Sequence, residues 1–258
     1  MDMLLSGKTA IVTGASRGIG LAVTRELTGE GVQVVAAARD CTDELRRLSA
    51  VQVLTDLTSP DGPAMVAEAA ASAFGGLDIL VNNVGAVRPR TGGFASVTAQ
   101  DWAATFAVNF LAAVHVTRLA LPLLTARGGG SIVTISSVNA TLPDPLVIDY
   151  SAAKAALTNF CKSLSKEVGP HGIRVNTISP GPVATDLWLG GGGVAETIAG
   201  AAGSTPDAVA AAAVAGTPTG RFTEPGEVAD LVLFLASPRA RNITGSDFAI
   251  DGGLKTTL

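Results

Sequence analysis

Seven short runs rich in β-branched residues punctuate this chain, and most give way to longer stretches rich in Ala and Leu. The runs are KTAIVTG, VQVVAAA, VQVLTDL, LDILVNN, SIVTISS, IRVNTIS and DFAI. Helical character follows near residues 18–29, 61–74, 99–126 and 150–168, and again near 225–236 before the last run. The runs are apolar without strict alternation, the mark of strands covered on both faces. Right-handed crossovers through helices then make the strands parallel. The pattern predicts a doubly wound α/β fold, a seven-stranded parallel sheet with helices on both faces, as a single domain over residues 1–258. One segment breaks the rhythm. Residues 190–216 are nearly all Gly, Ala and small polar residues, with GGGG at 190–193, and read as a mobile insertion carrying a weak helix, within a lid at about 186–220.

Composition narrows the classes of function. With 258 residues, 47% of them apolar, and no internal repeat, the chain suffices for one domain with a large core. A net charge of −4 without any basic run offers no footprint for nucleic acid or an anionic membrane. No apolar run approaches the ~18 residues of a membrane span, so a soluble chain is expected. Cys41 and Cys161 are too few for a disulfide framework, and MDMLLSGKTAIVTG runs into the first strand without a secretion signal, so a cytoplasmic location is expected. No metal-ligand motif is present, and His115 and His171 read as structural.

The stretch TGASRGIG, residues 13–20, falls where the first strand ends and the first helix begins. Gly14 permits a tight turn, Gly18 lets backbone N–H groups approach a pyrophosphate, and Gly20 allows helix and strand to pack closely. The helix N-terminus adds partial positive charge, so this junction is a phosphate site.

The G-x-x-x-G-x-G spacing resembles the short-chain dehydrogenase/reductase family, including its members that reduce 3-oxoacyl thioesters on acyl carrier protein. The resemblance continues through NNVG at 82–85, Asn109, Ser137, Tyr150 with Lys154, SPG at 179–181 and DGG at 251–253. Val84 departs from the family's more usual Ala by a small apolar exchange. The resemblance implies a Rossmann-type fold, a homotetramer packed through the long helices and the last strand, and a small carbonyl or alcohol substrate. It also implies cofactor contacts from Gly14, Ser16, Arg17, Gly18, Ile19, Gly20, Arg39, Asp56, Leu57, Asn83, Gly85, Tyr150, Lys154, Pro180, Gly181, Val183 and Thr185. Asp56 would meet the adenine, or else serve as a turn residue for TSPDG. Thr185 and the Val183 backbone would meet the nicotinamide carboxamide.

Cofactor choice turns on the end of the second strand. Where an NAD site carries a carboxylate for the adenosine ribose, this chain has Ala38, followed by Arg39. Arg39 and Arg17 together suit a 2′-phosphate, which favours NADP(H). If Asp40 takes the carboxylate role, NAD(H) follows instead.

The chemistry at oxygen points to DYSAAKAAL. Interconverting a ketone and a secondary alcohol needs a proton donor and acceptor matched to the working pH, and a free phenol titrates near ~10. A cation lowers it, and Lys154 stands one helical turn from Tyr150, the chain's single tyrosine. Ser137 is the expected donor that orients the substrate oxygen, with Ser136 its competitor on the other face. By resemblance Asn109 bends the long helix and sustains a proton relay, and Lys154 also grips the nicotinamide ribose. Asn139 and Trp188 are further candidates to line the substrate pocket, as are Asp144 and Leu146; Trp102 reads as packing. Arg127 and Arg174 are possible docking charges for an acyl carrier protein. Asp149 is expected to point away from the phenol, toward solvent or a helix N-terminus.

Overall fold

A computed structural model describes residues 2–256. Seven strands, β1 (Thr9–Thr13), β2 (Gln33–Ala38), β3 (Ala50–Leu54), β4 (Ile79–Asn82), β5 (Gly130–Ile135), β6 (Ile173–Pro180) and β7 (Asp247–Ile250), form one sheet in the order β3-β2-β1-β4-β5-β6-β7. All pairings are parallel. The chain steps outward one way from β1 and the other way from β4. Their neighbouring C-terminal ends thus form the switch point where an open α/β sheet leaves a crevice.

Each strand sends alternate residues to opposite faces, and the core divides accordingly. On one face Ala10, Val12, Val34 and Ala36 pack against helices α1 (Gly18–Gly29) and α10 (Pro225–Ala236). On the other, Ile11, Val35, Leu80 and Ile132 pack against α3 (Gly62–Phe74), α5 (Ala112–Ala126) and α6 (Ile148–Val168). A short α2 (Asp43–Arg46) connects β2 to β3, capped by the Thr42 hydroxyl.

The long helix runs from Ala99 to Ala126, as α4 (Ala99–Phe106), a π-helical turn (Ala107–Leu111) and α5. It begins with a reciprocal cap in which Thr98 and Asp101 each bond the other's backbone N–H. An aromatic chain, Trp102–Phe106–Phe110–Phe160, tilted at its first contact and edge-on at the next two, ties it to α6. By length and hydropathy this helix could cross a bilayer, although its sequence has no uninterrupted apolar run of that length. Here its inner residues Ala112, Val116, Ala120 and Leu124 pack on the sheet.

Two expectations change. After a short α7 (Asp186–Leu189), the Gly/Ala-rich insertion contains two helices, α8 (Val194–Ala202) and α9 (Pro206–Ala215), rather than one weak helix. Thr205 caps α9 and Pro206 begins it, so local start signals outweigh the glycine content around them. Arg174 is not a free docking charge: its guanidinium donates to the carbonyls of Leu235, Ala236 and Ser237, closing the end of α10. Arg127 likewise donates to the Phe74 carbonyl at the end of α3.

Helix α1 approaches the loop before it so closely that a Cβ on Gly20 would lie 2.1 Å from the Gly14 carbonyl oxygen. Gly200, exposed inside α8, has nothing within 4 Å of the same position. Gly20→Ala should therefore destabilise the protein by roughly 1–3 kcal/mol through overpacking, whereas Gly200→Ala should be neutral or stabilise it by roughly 0.5–1 kcal/mol. Denaturant unfolding of both variants checks the contrast. By the same measurement Arg174→Met, which strips three carbonyls of a charged donor, should cost roughly 2 kcal/mol.

Candidate active site

The glycine loop leaves β1 at the sheet's switch point. Gly14 and Gly18 take left-handed backbone, φ +66° and +54°. Arg17 stands extended at the N-cap of α1, where no side chain caps the helix and no acidic residue occupies its first turn. The helix therefore presents free N–H groups and uncompensated positive potential. Ser16 is buried and Ile19 half-buried beside them, while Arg17 and Arg39 extend into solvent and Ala38 is buried at the end of β2. This cradle fits a dinucleotide diphosphate.

The NNVG turn braces that loop. The Asn83 amide donates to the carbonyls of Thr13 and Gly14, at 2.9 and 3.2 Å, and its backbone N–H donates to the Thr13 hydroxyl. Its side-chain donors are thus committed to holding the loop, a role that the expected cofactor contact did not include. Gly85 lies where the other side chains converge: a Cβ there would meet Asn109 Oδ1 at 3.1 Å and Lys154 Nζ at 3.4 Å. Asn109, 1% exposed, accepts from the Ala86 N–H and donates to the carbonyls of Ala86 and Thr105. Both amide hydrogens are consumed, one by the carbonyl four residues back, and the residue sits within the π-helical turn.

Ser137 follows β5 as the cap of a 3₁₀ turn and meets the Asn139 amide oxygen at 3.2 Å. Ser136 faces the other way, its hydroxyl bonded to that of Thr158, so of the two serines it is Ser137 that lies beside Tyr150. Tyr150, on the first turn of α6, has the Ser137 hydroxyl as its polar neighbour. Lys154, 3% exposed, donates to the Ile135 carbonyl at 2.8 Å and lies 5.7 Å from the centre of the Tyr150 ring.

The electrostatics differ from the expectation. Burial pushes the Tyr150 phenol above its ordinary value, against a smaller opposing pull from the Ser137 hydrogen bond. Burial lowers the Lys154 ammonium to about 8, with nearby Cys161 opposing the shift. Burial therefore outweighs the chain's own pull on the phenol, and it acts against the charged ammonium as well.

The remaining candidates divide. Thr185 faces the glycine loop, its Cγ2 lying 3.1 Å from where a Gly18 Cβ would stand. Val183 is buried and bridges to Thr223, while Gly181 donates to the Ile250 carbonyl beside Pro180 at the end of β6. Asp56 is exposed, and its Oδ1 accepts from both the N–H and the hydroxyl of Thr58, the turn role that the sequence left open. The Leu57 side chain belongs to the core, leaving only its backbone for a ligand. Asp144 caps the turn at Leu146, and Trp188 packs edge-on against Phe222 at 5.8 Å.

Asp149 is not solvent-facing. It is 1% exposed and paired with Arg90. Burial alone would raise its carboxyl, but hydrogen bonds from Arg90 and Thr105, with the guanidinium charge, hold it below the usual carboxylate range. Arg90 escaped the sequence reading because RPR after NNVG has no spacing that points to a partner 59 residues away.

Residues 14–255 match the family model described as enoyl-(acyl carrier protein) reductase. A 3-oxoacyl-acyl-carrier-protein reductase of Vibrio cholerae is 33% identical over 98% of this chain and 99% of its own. The L-sorbose reductase of Gluconobacter frateurii, solved with NADPH and L-sorbose, superposes with a TM-score of 0.92 at 34% identity over the whole of both chains. A short-chain type dehydrogenase/reductase from Mycobacterium marinum gives 0.87 at 30% identity, over 99% of this chain and 98% of that one. Fold, site and relatives agree: the chain belongs to the short-chain dehydrogenase/reductase family, oxidoreductases that act on alcohols and carbonyls.

Proposed function

We propose that this protein is an NADP(H)-dependent oxidoreductase that interconverts a ketone and a secondary alcohol, with Tyr150 as the general acid and base. The observation that carries the reading is the convergence of Ser137, Tyr150, Lys154 and Asn109 beside Gly85, at the open end of β4 and β5. When bound, the nicotinamide would supply or accept the hydride at carbon; the chain's own residues manage the oxygen. In reduction Ser137 turns its hydroxyl from Asn139 to the substrate oxygen, and Tyr150 delivers the proton. Lys154 grips the ribose and, while charged, favours the phenolate. Asn109 keeps the loop at Ala86 in place, and any relay past it uses its carbonyls, since both amide hydrogens are committed.

The preference for NADP(H) rests on the exposed Arg17 and Arg39 and on Ala38 in place of a carboxylate. The NADPH complex of the sorbose reductase supports it. Residues 186–220 would act as the substrate lid, with Trp188 in its wall. A homotetramer would cover the exposed face of the long helix, only 33% of whose most apolar stretch is buried in the single chain. A cytoplasmic location fits the same reading. The Vibrio relative favours a second substrate class, 3-oxoacyl thioesters on acyl carrier protein, and the description of the family model names the same carrier. Comparing such thioesters with simple ketones distinguishes the two, and a chain that only senses NADP(H) would oxidise the cofactor with neither.

Three outcomes are expected. Tyr150→Phe should keep cofactor affinity but lose roughly 10²–10⁴-fold in turnover; unchanged turnover would refute the assignment. Arg39→Ala should lower the ratio of kcat/KM for NADPH over NADH by roughly tenfold or more, and a wild-type preference for NADH would end the NADP(H) reading. With one tyrosine, phenolate absorbance reports Tyr150 alone. Its midpoint in the free protein should lie above the ordinary value of 10.0, because burial raises it, and should fall when NADP⁺ brings positive charge.

A further inference from the structure

Immediately before Tyr150, Asp149 joins three segments of chain. Arg90, on the loop after β4, has a side chain only 10% exposed, and its Nε and Nη2 both donate to the Asp149 carboxylate. Its Nη1 donates to Asp101 at 2.9 Å, the residue that closes the cap of α4. Its backbone N–H donates to the Leu146 carbonyl, just ahead of α6. Thr105 completes the array: its hydroxyl donates to Asp149 at 2.7 Å, and its carbonyl accepts from Asn109 at 3.0 Å. One guanidinium thus holds the start of α6, the start of α4 and the loop running from Gly85, and the bonds pass without a break from Asp149 through Thr105 to Asn109.

We propose that Arg90 is a positioning residue for the reaction, acting through Asp149 and Thr105 to fix Tyr150 and Asn109 relative to each other. The inference rests on the catalytic reading given above and deepens it. A planar fork is suited to this place, since it spans two carboxylates at once along fixed directions; an ammonium supplies the charge without the fork. Reaction rates are sensitive to displacements well below the size of a side chain, whereas binding of the distant adenosine end is not. Loss of the fork should therefore appear in the chemical step and spare cofactor affinity.

The test uses the full-length protein with Arg90→Lys, which keeps the charge beside Asp149, and Thr105→Val, which removes only the hydroxyl link. Single-turnover oxidation of NADPH in the presence of a ketone, substrate KM, NADPH Kd and thermal unfolding are measured for each. Arg90→Lys is expected to slow the single-turnover step by about tenfold with KM and Kd within twofold of wild type, and Thr105→Val to slow it by a few-fold. An unchanged rate in Arg90→Lys overturns the proposal. So does a rate loss matched by equal losses of cofactor affinity and melting temperature, which would mark a general structural role. Tyr150→Phe, measured alongside, separates the two levels: retained turnover there refutes the catalytic reading, while lost turnover there with an unaffected Arg90→Lys refutes only the role of Arg90.

Discussion

The site depends on the hydrogen bonds that join the ends of β1 and β4. Thr13 receives the backbone N–H groups of Asn83 and Val84 on its hydroxyl, and Asn83 returns its amide to the carbonyls of Thr13 and Gly14. A glycine-rich loop has the largest conformational entropy to lose on ordering, and its carbonyls need partners because β1 is buried along its full length. The Asn83 amide satisfies them. It thereby fixes the phosphate cradle to the same turn from which Gly85 reaches toward Asn109 and Lys154.

Much of this was legible in the chain because the relevant signals are local. The glycine spacing of TGASRGIG, the i, i+4 pair of Tyr150 and Lys154, and the apolar character of the seven runs are each carried by a few neighbouring residues, where periodicity and turn chemistry act, although the edge strands β3 and β7 are not buried on both faces as the inner strands are. The boundaries of α1, α10 and the long helix follow for the same reason. Side-chain partnerships across long separations were not legible. Asn83 is an expected cofactor contact by its place in NNVG, but its commitment to the carbonyls of residues 13 and 14 is set by strand order. Arg90 and Asp149 lie 59 residues apart and meet only because β4 and α6 are brought together by the sheet. Arg174 looked like surface charge for want of any sequence signal that the end of α10 lies above it.

The electrostatics of Tyr150 show why proximity alone is an incomplete argument. The Tyr–Lys spacing correctly places an ammonium beside the phenol, yet burial taxes both groups: it raises the phenol and lowers the amine. Neither effect can be read from spacing, because each depends on how much of the sheet and α6 surrounds the pair. Spacing brings the ammonium to the phenol, and burial then acts on both groups against their charged forms.

The π-helical turn at Ala107–Leu111 has a consequence for how the long helix divides its labour. One extra residue in a turn rotates everything beyond it by about 100° relative to an uninterrupted α-helix. The segment ahead of the turn can therefore direct Asp101 and Thr105 at Arg90 and Asp149, while the segment after it keeps Val116, Ala120 and Leu124 on the sheet. Without the turn, the residues beyond would stand about 100° from their present direction for the same placement of Asp101 and Thr105. The turn thus works as a phase shifter, allowing one rod to serve a charged clamp at one end and an apolar core at the other.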